Sequence, residues 1–226
     1  MKTTVGRPKD LEKRKQILEA AKSVFLKSGY HGSSMNQIAK EAGVTKLTVY
    51  NHFQDKENLF ICAIEATCEA SMQTEPFKLT AQSQFSRAFF RACELALNVI
   101  YLPEAIKLEH LLLELAAEKN PLSQQFYNAS HTRMRLLWAE FFQQAIEYQF
   151  IRADDSDKQT ALILTLLLGI RHHEVLLGMR ELPTAVELQQ IILDAIELFL
   201  LKYQVDGQNS LTECASLNAS DPKAAQ

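Results

Sequence analysis

What most limits the fold of this chain is how little it contains that can break a helix. Its 226 residues hold seven glycines and six prolines. These fall between segments whose apolar residues recur every 3.6 positions, the period of one helix face. No segment shows the two-residue alternation of a half-buried strand. The spacing therefore predicts an all-α chain. A first helix is expected over about 10–28, with Ile17, Ala21, Val24 and Phe25 on one face, stopping at Gly29. A short second helix starts at Ser34, which has capping-box spacing to Gln37, and ends near Ala42-Gly43. A third, about 46–53, is capped by Thr45. Asp55 caps a fourth that runs to about Thr74. Longer helices follow over about 81–102, 104–119, 122–149, 157–179 and 185–203. Pro103 and Pro121 suit first-turn positions, and capping-box spacing recurs at Ser156/Gln159 and Thr184/Glu187. Beyond Tyr203 the chain is rich in Ser, Asn, Ala, Gln and Asp, and reads as a disordered tail.

Charge is segregated along the chain. Residues 1–60 carry a net +5 and residues 61–226 a net −8, which together make the −3 of the whole. A basic segment followed by an acidic remainder suits a polyanionic partner for the first part, nucleic acid above all; a solvated basic helix without a partner has the same composition. Cys62, Cys68, Cys93 and Cys214 form no Cys-x-x-Cys pair, so neither a disulfide framework nor a four-thiolate zinc site organises the chain. That usage fits a reducing compartment. Met1 to Asp10 has no apolar core for a signal peptide, and the longest apolar stretch, Ala161 to Ile170, is well short of the roughly 18 residues of a membrane span. A cytoplasmic protein with no membrane partner is expected.

Residues 34–53 read as helix, Gly43 turn, helix, an arrangement in which one helix braces another that can enter a DNA major groove about 12 Å wide. Ile38, Ala39, Val44 and Val49 are small or apolar where the two helices must pack. Thr45, Lys46, Thr48, Tyr50, Asn51 and His52 gather hydroxyl, ammonium, phenol, amide and imidazole groups around the second helix. Core burial alone would not collect them. Two readings of Tyr50 stay open, a core aromatic beside Val49 and Phe53 or a DNA contact, and His52 is either a surface histidine or a contact.

At these residues the chain resembles the N-terminal domain of TetR-type transcriptional regulators. The resemblance is carried by the run ILEAAKSVF over 17–25, then Gly29-Tyr30, Ser33-Ser34, Ile38-Ala39, Ala42-Gly43-Val44-Thr45, Thr48-Val49-Tyr50-Asn51-His52-Phe53, Lys56-Glu57 and Leu59-Phe60. It covers about Arg7 to Ile64. The C-terminal half, through the run GIRHHEVLLG over 169–178, Pro183-Thr184 and the last helix, more loosely resembles the AefR-like subgroup. The resemblance implies a basic arm over 1–9, a helix-turn-helix DNA-binding domain over 10–56, a larger helical ligand-binding and dimerisation domain over 57–203, and a tail over 204–226. It also implies that Ser34, Thr48, Tyr50, His52 and Lys56 hold phosphates of double-stranded DNA, contacts that set register. Asn36, Lys46 and Leu47 then match positions facing base edges, although Leu47 departs from the small residue or proline usual there. Arg7 and Lys9 of the arm would reach a minor groove.

In the larger half, Ala161 to Leu164, Leu166 to Leu168 and Ile170 put apolar groups on every side of one helix, which predicts burial all round. One explanation is an intersubunit four-helix bundle with Leu162, Leu166, Ile170, Ile192, Ala195 and Phe199 at a homodimer interface; a monomer with a central helix is the other. The resemblance implies the dimer, and with it a pseudo-palindromic operator. It also implies a cavity for a small-molecule effector. The candidates to line it are Phe90, Phe126, Trp138 and Phe142 with the ionisable Glu94, His110, Glu114, Arg171 and Glu174; the effector is expected to be lipophilic, or a cation where the glutamates face the cavity. Core packing explains each aromatic singly. His172, His173 and Glu174 diverge by about 100° per residue on a helix and cannot converge on one metal, while His110 and Glu114 at i,i+4 spacing are two ligands without a third. No nucleophile triad or phosphate-binding glycine loop is present. The expected function is a ligand-responsive DNA-binding regulator, most simply a repressor, with no cofactor and no catalysis. The alternative is a helical protein-interaction or ligand-sequestering module that keeps the helix-turn-helix as scaffold.

Overall fold

A computed structural model of the chain describes residues 8–71 and 77–205. Within them run α1 (Pro8–Ser28), α2 (Met35–Glu41), α3 (Lys46–Phe53), α4 (Lys56–Ser71), α5 (Phe85–Ile100), α6 (Pro103–Ala117), α7 (Leu122–Glu147), α8 (Ser156–Leu176) and α9 (Ala185–Tyr203). Among the described residues the only extended pairing is an isolated bridge between Ile151 and Gln204. The fold is all-α, as the spacing requires.

The helix ends follow from identifiable side chains. Gln37 N–H donates to the Ser34 hydroxyl at 3.2 Å, Thr48 N–H to the Thr45 hydroxyl at 3.1 Å, and Asn58 N–H to the Asp55 carboxylate at 2.8 Å. Thr184 and Glu187 form the full reciprocal box. Ser156 does not cap α8. The cap is Asp155, which accepts from Asp157 N–H at 2.8 Å, while Gln159 is buried and donates its amide to the Arg152 carbonyl at 3.3 Å. A charged carboxylate at the helix N-terminus makes a stronger, charge-assisted hydrogen bond than a hydroxyl, so the cap sits one residue earlier. Likewise α1 begins at Pro8 rather than near Asp10, because a proline at the first helical position loses no hydrogen bond. Pro103 takes that position in α6, whereas Pro121 lies just before α7. α5 starts at Phe85, later than its spacing suggests, since Thr80 and Ser83 close a turn ahead of it. The expected end of α4 near Thr74 and the tail over 206–226 lie outside the described residues.

The chain divides into two compact units, each assembled from separated segments: Met1–Met72 with Pro103–Thr132, and Gln73–Leu102 with Arg133–Gln226. Where the sequence suggests a boundary after residue 56, the structure keeps α4, α6 and the first part of α7 with α1, α2 and α3. The reason is burial. Leu108, Leu111, Leu112 and Leu115 of α6 and Leu122 and Phe126 of α7 share one core with Ile17, Phe25, Ile38, Val49 and Phe53. Phe60 of α4 is its hub, meeting Phe25 edge-on at 5.0 Å, Tyr30 at 5.1 Å and Phe126 at 5.5 Å between ring centroids.

The second unit has its own aromatic core. Phe89 of α5 meets Trp138, Phe141 and Phe142 of α7 and Phe199 of α9 at 5.2–6.0 Å. In this chain α8 is not buried all round. Ile163, Leu167 and Val175 are buried, Leu162 and Leu166 are half-buried, and Ile170 is 77 % exposed. The helix is interrupted at Gly169, whose φ of 46° and ψ of −153° are open in practice to glycine alone.

Phe60→Ala should cost about 3–5 kcal/mol of unfolding free energy in urea titration, the usual result of emptying a buried aromatic site. Gly43→Ala, at φ 65° with open space where a Cβ would stand, should cost only about 1 kcal/mol, from conformation alone.

Candidate nucleic-acid interface

α2, the turn at Gly43 and α3 are two very short helices held on a shared base. Ile38 and Ala39 from α2 and Val49 and Phe53 from α3 point into the core, and Arg14 of α1 lies 5.0 Å over the Phe53 ring. Gly43 N–H donates to the Lys40 carbonyl at 3.2 Å and Val44 N–H to that of Ala39 at 3.0 Å, so the turn closes on the backbone of α2. The inward residues fix which face of α3 is left for a partner.

That outer face carries Thr45, Lys46, Leu47, Tyr50 and Asn51, all exposed, with Leu47 at 69 %. Asn36 of α2 is also exposed. Tyr50 lies outside the core, with the Lys46 ammonium 5.6 Å from its ring centre. Thr48 is half-buried and its hydroxyl lies 2.8 Å from that of Thr45, so the first turn of α3 closes back on its cap through side chains as well as backbone. Ser34 is exposed at the start of α2 with its oxygen accepting from Gln37. Arg7 and the side chain of Lys9 lie outside the described residues.

Two of the sequence-assigned phosphate contacts have other partners. His52 turns towards α1, where its Nε2 stands 3.3 Å from an Asp10 carboxylate oxygen. Lys56 is drawn inwards: its ammonium donates to the Tyr30 carbonyl at 2.9 Å and the Ser33 carbonyl at 3.3 Å, and lies 4.2 Å over the Tyr30 ring. Burial pushes the Lys56 pKa down. Tyr30 itself is pushed up to about 12, by burial first and then by the nearby Glu57 and Asp55. Tyr30 and Ser33 therefore serve the site by anchoring the turn ahead of α2, a role no spacing in the sequence announced.

The proposed effector-lining residues separate between the units. Phe126 belongs to the first core against Phe60, and His110 and Glu114 are exposed on α6 in the same unit. Trp138 and Phe142 are brought together in the second unit, stacked at 5.5 Å and fully buried, with Phe90 half-buried on α5. Glu94 faces solvent, and Glu174 lies 3.4 Å from Arg180. Arg171, half-buried, reaches the Glu181 carbonyl at 2.8 Å and lies 3.6 Å from Glu187. Of the candidate interface residues, Ile192, Ala195 and Phe199 belong to the core of their own unit, at 2 % exposure or less; the outer face of α9 instead shows Val186, Leu198 and Leu201. Among the described residues no three His, Cys, Asp or Glu side chains could hold a metal ion together, and no helix is long and apolar enough to cross a membrane.

Residues 17–62 match the bacterial regulatory proteins of the tetR family, and residues 87–205 match the C-terminal domain of AefR-like transcriptional repressors. Over 58 residues the chain is 43 % identical to the HTH-type transcriptional activator FasR of Mycolicibacterium smegmatis, a stretch that is 26 % of either chain. It thus spans about a quarter of that relative's length. The HTH-type transcriptional regulator SAR2658 of Staphylococcus aureus is 26 % identical over 197 residues, 86 % of this chain and 94 % of that one. A crystal structure of a TetR-family regulator from Mesorhizobium loti superposes with a TM-score of 0.79 at 28 % identity, over 88 % of this chain and all of the other. Fold and helix-turn-helix together are those of the helix-turn-helix regulatory proteins. The chain belongs to the TetR family, and its C-terminal domain is of the AefR-like type.

Lys56→Ala should lower unfolding free energy by about 1.5–3 kcal/mol, because two carbonyls lose a charged donor. Alkaline pH gives an independent check on Tyr30. The folded state keeps its phenol protonated to about 12 whereas an unfolded tyrosine ionises near 10. Stability from this group is therefore complete below pH 10 and falls as pH rises towards 12. Tyr30→Phe should flatten that part of a stability-versus-pH curve.

Proposed function

We propose that the protein is a ligand-responsive regulator that binds a pseudo-palindromic DNA operator as a homodimer, acts as a repressor in the cytoplasm, and is released by a small lipophilic effector. The observation that carries the reading is the outer face of α3. Lys46, Leu47, Tyr50 and Asn51 project from a helix whose opposite face is locked by Val49 and Phe53, the presentation that major-groove reading needs. Lys46 suits guanine O6 and N7, Asn36 suits adenine, and Leu47 a thymine methyl, while Tyr50, Ser34, Thr45, Thr48 and Asn51 suit phosphates. Arg7 and Lys9 remain candidates for the minor groove. His52 and Lys56 act through the scaffold, His52 by its partner Asp10 and Lys56 by its two carbonyls.

Dimerisation follows from apolar surface that one chain leaves uncovered. Leu162, Leu166 and Ile170 on α8 and Leu198 and Leu201 on α9 would pair with their copies, which moves the α9 contribution off Ile192, Ala195 and Phe199. Effector release requires that the ligand bind one of two conformations more tightly, a coupling of typically 1–3 kcal/mol. The case for a cationic effector has lost its support, since Glu94 and Glu114 are exposed and Glu174 has Arg180 beside it. The scaffold-only alternative has no observation in its favour.

The test is binding to the DNA upstream of its own gene at two salt concentrations, against scrambled competitor. Specific, salt-sensitive protection of a two-fold symmetric site supports the reading, and weak binding equal on both DNAs, repeated in a genome-wide selection, refutes it. Tyr50→Phe should weaken binding on every sequence, while Lys46→Ala should change base preference by about 1–3 kcal/mol. Leu198→Glu should give folded monomers in light scattering, and Phe199→Glu should instead unfold the second unit; a Leu198→Glu dimer of unchanged mass would remove that face from the interface.

A further inference from the structure

We infer that Tyr101 and Arg171 form the polar end of the effector site, built to hold the carboxylate of a ligand with an apolar body. This deepens the effector-responsive reading above and rests on it. Tyr101, which ends α5, is 6 % exposed, and its hydroxyl is buried with no hydrogen-bond partner. Arg171 of α8 has Nε and Nη1 buried and equally unpartnered, while Nη2 alone is occupied, by the Glu181 carbonyl and the Glu187 carboxylate. The guanidinium stands close enough to Tyr101 for its charge to oppose the rise that burial imposes on the phenol. The His172 and Tyr101 rings meet edge to face, with centroids 5.5 Å apart.

These groups define what is missing. A guanidinium donates only, and a buried phenol held neutral donates as well, so the complement is an acceptor. Buried polar atoms without partners are rare enough that each calls for a reason. Arg171 lies one turn before the buried Val175 in the part of α8 that follows the interruption at Gly169, and its own side chain is only 14 % exposed. An apolar side chain at 171 would be the stable choice, and an arginine there is explained by something anionic. The local carboxylate reaches only Nη2, through Glu187 Oε1 at 3.6 Å, and leaves Nε and Nη1 without an acceptor. Glu187 is held in the cap of α9, its Oε2 taking the Thr184 N–H at 2.8 Å and the Thr184 hydroxyl at 3.2 Å. Leu97, one turn before Tyr101, and Val175, one turn after Arg171, are buried and suit an apolar body on the ligand.

The test uses the full-length protein with decanoate, decanol and acetate as probes, read by calorimetric titration and by thermal shift. Decanoate should bind at least about ten-fold more tightly than decanol or acetate, since it alone has both the charge and the chain. Arg171→Met should abolish that preference. Tyr101→Phe is the safeguard against misfolding, because it removes only an oxygen that bonds to nothing: its ligand-free melting temperature should match or exceed the wild type, while decanoate affinity falls about three-fold or more. Equal binding of decanoate and decanol would overturn the inference by showing apolar partitioning, and so would unchanged decanoate affinity in both variants. DNA binding by the ligand-free protein is measured on the same preparation. Intact DNA binding with no carboxylate preference sinks this inference alone, whereas lost DNA binding with preference retained sinks the regulator reading and leaves the carboxylate site standing.

Discussion

Helices of seven and eight residues, such as α2 and α3, cannot persist alone in water, because nucleation costs more than so few hydrogen bonds return. Everything about the first unit answers that constraint. The three helices of the DNA-reading motif bring Ile17, Phe25, Ile38, Val49 and Phe53, and these become a core only when Phe60 of α4, the leucines of α6 and Phe126 of α7 close over them. The recognition surface is therefore a property of six helices. Its rigidity comes from segments as far along the chain as residue 126. Polar ties reinforce the same assembly, with Lys22 of α1 paired to Glu104 of α6, and His31 lying 2.7 Å from Glu118.

Much of this is legible in the residues. Apolar spacing finds every helix of the described residues, and Ser34, Thr45, Asp55 and Thr184 mark their starts because a cap is a local hydrogen bond between near neighbours. The face of α3 is readable for the same reason, since Val49 and Phe53 leave only one side for Lys46 and Tyr50. What fails is whatever depends on distant parts of the chain. Lys56 looks like a phosphate ligand by motif, yet its partners are carbonyls 23 and 26 residues away. His52 likewise has an aspartate that precedes it by 42 positions. The Ser156 cap fails by a single residue because Asp155 competes for the same role.

The larger half teaches the same lesson with opposite sign. An apolar residue on every side of α8 says that the helix is covered, but not by what, and within one chain only a stripe of it is. Phe199 reads equally well as interface or core until Phe89 and Phe142 are seen against it, at 5.2 and 5.0 Å. Arg171 is conspicuous in the sequence for its charge. Its significance, however, lies in which of its nitrogens lack an acceptor, a fact that exists only in three dimensions.

The Lys56 ammonium has a mechanical consequence. A tetrahedral –NH3+ group carries three equivalent donors that turn about one bond, so it fixes distances to the Tyr30 and Ser33 carbonyls while leaving angles free. The start of α4 and the turn ahead of α2 are thereby joined by a ball joint rather than a weld. Translation at one end is passed on, and small rotations are absorbed. A bidentate arginine at the same place would transmit both, and would make the reading head as stiff to twisting as it is to pulling.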